Sequence, residues 1–371
     1  MFWVHLLILQ PPGFVVGLLF VVRCATPEGK AVGTRLLKFS LVGPGVAILI
    51  GAALRFVSTQ PYLSFILVRV GIWVILATSL NLINGITGQF SLGHMGFAAV
   101  GGYTAASITV LLGPRLGVDP ANPGPADPLV FFAALVCGGV AASVAGVLVG
   151  LPTLRLRGDY LAIATLGFGE IVRVALLNIP ALGGAAGFKG IPSFTTLSWA
   201  TLWAVAAVLV VRNIRFSRHG RALLAVREDE VAAEAMGVDT VRYKVRAFTI
   251  GAFFAGVAGG LLGHYITILV PKEFGFLNSI EVVVMVVLGG MGSITGSVLA
   301  AAGLTYLSEA LRAVGDVRMI LYSLLLILLM LTRPQGLLGQ IELGRDSVRR
   351  LRALLGKWRR GRAPAKEETP G

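Results

Sequence analysis

Glu170 and Arg173 stand three residues apart inside an otherwise apolar run, 160–179. A lone charge near mid-bilayer costs at least about 2.5–3.5 kcal/mol, and at this spacing the two share a helix face and partly neutralise each other. Such a pair either fixes helix packing or a subunit interface, or meets the two charges of a zwitterionic solute. Glu281 and Glu309 fall near the ends of apolar runs, where reaching water is cheaper. A second polar stretch, 81–96, sets Asn84, Gln89, Ser91 and His94 among glycines. Ser91-Leu-Gly-His94 supplies a hydroxyl and an imidazole, but no carboxylate follows nearby and the Gly-x-Ser-x-Gly elbow is absent. The histidines, His5, His94, His219 and His264, show no ligand spacing, and Cys24 and Cys137 are far apart, so neither a metal site nor a disulfide framework is indicated. Both cysteines are expected as inert core residues. Gly183-Gly-Ala-Ala-Gly187-Phe-Lys189 lacks the Gly-Lys-Ser/Thr that cradles phosphates, so no cofactor is expected on this chain and any ATP must be bound by a partner.

Of 371 residues, 56% are hydrophobic and 13% charged, against about 25% charged in a soluble domain. This composition fits an all-α polytopic membrane protein. The net charge of +14 gathers in loops and tail, which the positive-inside rule explains without nucleic acid.

Windows of about 20 apolar residues mark the crossings. The run 1–22 has no basic leader and carries Pro11 and Pro12, so it is expected as a retained span. Further spans are expected near 41–56, 62–83, 90–112, 129–151, 160–179, 199–211 and 248–270, with weakly charged outer loops at 113–128, 183–191 and 271–278. The polar, Gly-rich opening of the fourth span is tolerated at membrane depth only inside protein or beside water. The segment 281–288 is too short to cross upright before Gly289-Gly-Met-Gly292-Ser-Ile-Thr-Gly296 interrupts it, which predicts a broken helix. Spans near 297–313 and 317–331 then leave the tail inside, where ten basic against four acidic residues from Arg333 onward belong. About ten or eleven membrane segments result, divided into an N-terminal span and cytosolic loop (1–40), a transmembrane domain (41–332) and a basic cytosolic tail (333–371). Gly85-Ile-Thr-Gly88 and Ser293-Ile-Thr-Gly296 resemble each other, although four residues do not establish a repeat.

All these spans surround one polar island, 212–246, with eight Lys/Arg and five Asp/Glu. Interleaved apolar residues suit a folded loop. A short helix is expected over 222–226, and a second one capped by Asp229 runs through Val231, Ala232, Ala233 and Met236 to Gly237. Glu230 and Glu234 lie on this second helix, Arg218 and Arg221 flank it, and its small residues are expected to face a partner's groove. The plainer reading is a solvated loop.

Asn84-Gly-Ile-Thr-Gly88-Gln-Phe-Ser91-Leu-Gly-His94, Leu156-Arg-Gly158-Asp-Tyr160-Leu-Ala-Ile-Ala-Thr165-Leu-Gly-Phe-Gly169-Glu170, Gly289-Gly-Met-Gly292-Ser and Arg333-Pro-Gln-Gly336-Leu together resemble the LivM-type permeases of branched-chain amino-acid ABC importers. The resemblance implies a bacterial inner-membrane subunit that pairs with a homologous LivH-type permease, two cytosolic ABC ATPases and a periplasmic or extracellular solute-binding protein. It also implies an ATPase contact in the loop matching 215–246. Val231-Ala-Ala233 with Gly237 is similar to the EAA coupling motif, with Val in place of the usual Glu and without the downstream Ile-x-Leu-Pro. Related permeases serve urea, short amides and other small solutes. A self-sufficient secondary transporter would need ion-coupling carboxylates in mid-span, for which Glu170 is the one good candidate, and a membrane enzyme would need a polar cluster at a membrane face.

Overall fold

A computed structural model describes residues 60–116, 127–153 and 160–312, with single positions at 323, 324, 327 and 336. The expected spans before residue 60 and at 317–331, the loop at 155–159 and the divisions at 40 and 332 lie outside the described residues.

Apolar runs form helices because a helix satisfies every backbone polar group internally. In order these are α1 (Pro61–Asn81), which continues as a π turn (Leu82–Ile86), and α2 (His94–Ser107), prolonged by a second π turn (Ile108–Leu112). Then come α3 (Asp127–Thr153), α4 (Tyr160–Leu177), the strand β1 (Phe188–Lys189) and α5 (Leu197–Phe216). Two short helices, α6 (Arg218–Glu228) and α7 (Glu230–Ala235), precede α8 (Thr240–Ile266) and β2 (Ile268–Leu269). A broken pair closes the described part, α9 (Phe276–Gly289) and α10 (Ile294–Ala310).

Among the described residues six helical stretches are long and apolar enough to cross a membrane. They correspond to the third through eighth expected spans, and the predicted break at 289–296 is present. Boundaries moved where polar residues prolong a helix. Arg212 and Arg215 remain on α5, and α8 starts at Thr240 rather than near 248. The independent part of the island therefore shrinks to 217–239.

α8 is the central helix, packed against α2, α3 and α1, while α10 and α5 pack on α1. Glycine permits the closest crossings, because a side chain on Gly101 or Gly259 would run into the facing backbone of Gly256 or Ala98. Phe97, Phe131, Phe248 and Leu261 fill the resulting core. Cys137, expected in the core, instead sits exposed on α3.

β1 and β2 pair antiparallel, Phe188 opposite Leu269, so the expected outer loops at 183–191 and 271–278 meet at one end of the molecule. The α6–α7 loop lies before the first turn of α8 and the ribbon after its last. Its 27 residues separate the two ends by about 40 Å at 1.5 Å per residue.

Candidate functional site

Residues that could carry function gather at these two ends. At the basic end, Ser217 caps α6 by accepting from Gly220 N at 3.2 Å, and Asp229 caps α7 by accepting from Val231 N and Ala232 N at 2.9 and 3.1 Å. Each satisfies amides that a helix start leaves without partners. Gly237 ends the motif at φ 82°, as expected of a residue that must turn left-handed. The first helix exceeds its expected extent of 222–226 because Arg218, His219 and Gly220 join it.

On the second helix Ala233 is turned inward, whereas Val231, Ala232, Ala235 and Met236 are exposed. Glu230 accepts from Lys244 Nζ at 2.5 Å and Glu234 from Thr240 Oγ1 at 2.8 Å, so both acids bind α7 to the start of α8. Arg218 and Arg221 remain exposed. Behind this surface Leu223 of α6 joins Leu82, Ile86, Val211, Ala247 and Ile294 in a small apolar core.

Deeper still, the loop and the end of α5 each reach a helix interruption. Arg227 Nη1 donates to the carbonyl of Gly85 in the π turn at 2.7 Å, and Arg215 Nη1 donates to the carbonyl of Gly292 in the break between α9 and α10. Asn81 joins the interruptions directly. Its Oδ1 accepts from Gly292 N at 2.8 Å and its Nδ2 donates to the Ser293 carbonyl at 3.0 Å. Gly290 and Gly292 have φ of 102° and 89°, a left-handed path that favours glycine. Ser293 then caps α10 through Gly296 N at 3.1 Å. The two Ile-Thr-Gly stretches, distant in sequence, thus belong to one junction. Arg215 and Arg227 enter the sequence reading only as charges, and Asn81 only as part of a polar stretch; its signal is an amide inside an apolar span.

Asn84, Gln89, Ser91 and His94 surround this junction and are all buried. The Asn84 side chain accepts from Ser91 N at 3.1 Å, pinning the non-helical link from α1 to α2. Leu92 N donates to Thr165 Oγ1 at 3.1 Å, fixing the link to α4. His94 Nε2 lies 2.8 Å from Ser79 Oγ, whose hydroxyl also lies 3.0 Å from the Leu76 carbonyl. The irregular backbone expected here is therefore embedded in protein.

At the opposite end Arg173 Nε donates to Glu170 Oε2 at 2.7 Å, while Glu170 Oε1 accepts from Phe276 N at 3.3 Å. Both are about one-third exposed. They line a cavity of about 480 Å³ with Val270, Lys272, Glu273, Gly275, Phe276, Leu277 and Asn278. Burial raises the Glu273 carboxyl above the ordinary range, and the Arg69 guanidinium acts against that shift. Arg69, inside α1, lies 3.8 Å from Glu309, which also holds Arg312 at 3.0 Å. This charge was missed in the sequence, although a single Arg within an apolar span is itself a signal. Among the described residues no group of three His, Cys, Asp or Glu is placed to hold a metal.

Interrupted membrane helices tied to a folded polar loop define the class: a polytopic helical membrane permease. The family model for the branched-chain amino acid transport system permease component matches residues 62–332, and the chain belongs to that family. It is 38% identical over 302 residues to the high-affinity branched-chain amino acid permease protein LivM of Salmonella typhimurium, covering 72% of this chain and 68% of the relative. LivM of Escherichia coli is 39% identical over the same shares. LivH of E. coli is 36% identical over 156 residues, 40% of this chain and 50% of the relative. No solved structure matches.

Proposed function

We propose that this chain is one of two permease subunits of an ATP-driven importer in the bacterial inner membrane, forming with a LivH-type partner the path for leucine, isoleucine and valine. A soluble binding protein delivers the solute at the ribbon end. Two ATPases dock at the basic end, which the positive-inside rule assigns to the cytosol. The chain supplies the path and its partners the hydrolysis.

The observation that carries this reading is the junction beneath the loop. Leu223 of α6 shares an apolar core with Leu82, Ile86 and Ile294, and Arg215 and Arg227 hold the backbone at both helix interruptions. A displacement of the loop by closing ATPases therefore reaches Gly85 directly through Arg227, and Gly292 by way of Asn81 and of Arg215 at the end of α5. Among side chains singled out in the sequence, Val231, Arg218 and Arg221 face outward to meet an ATPase, joined by Met236. Asp229, Ala232 and Gly237 shape α7, while Glu230, Ala233 and Glu234 anchor it.

Reconstitution into liposomes, with and without the partner subunits and ATP, tests the assignment. Uptake requires the full assembly, the loaded binding protein and ATP. Leucine uptake by the lone chain, or uptake indifferent to ATP, overturns it.

A further inference from the structure

The cavity beside Glu170 and Arg173 is built from opposite charges and an apolar wall. Glu170 is engaged at both oxygens, one by Arg173 and the other by Phe276 N. It thereby orients the guanidinium, whose terminal nitrogens make no hydrogen bond among the described residues. Lys272 and Glu273 are adjacent on a single 3-10 turn, Pro271–Phe274. Neither side chain forms an ion pair or hydrogen bond among the described residues, although each faces the same cavity. Asn278 Nδ2 holds the turn by donating to the Glu273 carbonyl at 2.6 Å. Leu277, 78% exposed, and Phe276, 39% exposed, stand beside these charges with Val270. A pair that only fixed helix packing would need Glu170 and Arg173 alone. It would not require a second cation, a second carboxylate and exposed apolar residues around one space.

We propose that this cavity is a low-affinity site for a hydrophobic α-amino acid. Arg173 and Lys272 receive the carboxylate, Glu273 receives the ammonium, and Val270, Phe276 and Leu277 hold the side chain. The proposal rests on the importer reading and gives that path its first solute contact. The volume of about 480 Å³ falls among small-molecule sites, which span roughly 300–1,000 Å³. The requirement for both charges is what distinguishes an amino acid from the uncharged amides that related permeases carry. Glu170 is a positioning residue here, because it acts through Arg173.

The test uses the complete transporter in nanodiscs without binding protein and measures equilibrium binding of radiolabelled L-leucine. Saturable binding is expected at millimolar leucine. Isoleucine should compete, whereas 4-methylpentanoate, which lacks the ammonium, and isoamylamine, which lacks the carboxylate, should not. Arg173→Gln and Glu273→Gln should weaken binding at least about tenfold, while Lys189→Gln on the neighbouring strand leaves it unchanged. Absence of saturable binding, equal competition by either singly charged analogue, or wild-type binding in both variants overturns the proposal. If Arg173→Gln does not assemble, Glu273→Gln and Lys272→Gln on the surface turn decide the matter. Reduced co-sedimentation of the binding protein with the same variants identifies the cavity as a docking contact and also overturns the proposal. Failure of the wild-type assembly to import leucine with ATP instead refutes the importer reading and is read separately.

Discussion

The two ends of α8 use arginine in contrasting ways. Beneath the basic loop, Arg215 and Arg227 spend their guanidinium donors on backbone carbonyls at the two helix interruptions. At the ribbon end, Arg173 is held by one nitrogen and keeps the rest turned to a cavity shared with Lys272 and Glu273. The first arrangement fits a tether, which transmits force only when its bonds are made. The second fits a receptor, which binds only when some of its donors are left unmade. Charge at a membrane protein's ends is therefore not one signal, and its use depends on whether the partner is the chain's own backbone or open space.

The contrast predicts unequal sensitivity to substitution. The largest effect is expected at the junction itself. An added methyl on Gly85 would run into Asn81 and the Gly292 backbone, so Gly85→Ala should destabilise by about 3 kcal/mol through overpacking. A thermal-unfolding midpoint within error of the wild type would show that the junction yields. Next comes Arg227→Ala, which removes a charged donor worth about 1.5–3 kcal/mol. Uptake per ATP hydrolysed should fall about tenfold or more while hydrolysis continues, and preserved stoichiometry would break the tether interpretation.

On the outer surface of the loop, Met236→Asp should reduce co-purification of the ATPases with no change in the unfolding midpoint, because Met236 is 84% exposed. Glu230→Lys with Glu234→Lys should lower that midpoint as well, because both acids anchor α7 on α8. Equal stability of the two variants would remove the distinction between anchoring and docking residues.

The smallest effect concerns pH at the ribbon end. Burial raises the Glu273 carboxyl while Arg69 opposes the shift; Tyr103 also lies within its field, and Lys272, Glu170 and Arg173 share its cavity. As external pH falls, this carboxylate takes up its proton before an ordinary one and loses its attraction for an ammonium. Leucine uptake should therefore decline in mildly acid medium, and Glu273→Gln should flatten that decline. An identical pH profile in the variant would assign the titration elsewhere.

Much of the fold was legible because its signals are local. Apolar runs of spanning length, the Asp229 cap, the turn at Gly237 and the interruption at 289–296 each follow from residues close in sequence. The orientation of α7 was not legible, since Val231, Ala232 and Ala233 read alike until α8 supplies Lys244 and Thr240 to hold Glu230 and Glu234. The exposure of Cys137 depends similarly on which face of α3 meets its neighbours. Composition alone cannot choose that face on a helix apolar all round.

The sequence by itself determined a helical membrane permease with one structured polar loop, because hydrophobic length and capping chemistry act over a few turns. It also determined that Glu170 and Arg173 pair, since three residues on a helix bring them together. Only the tertiary structure decided what that pair and the island arginines face. Gly85 and Gly292 are some 200 residues apart in the chain and joined through Asn81, and Lys272 and Glu273 reach Arg173 from another element. Such partners are chosen by how helices cross, and the close glycine contacts that set those crossings are properties of pairs of helices.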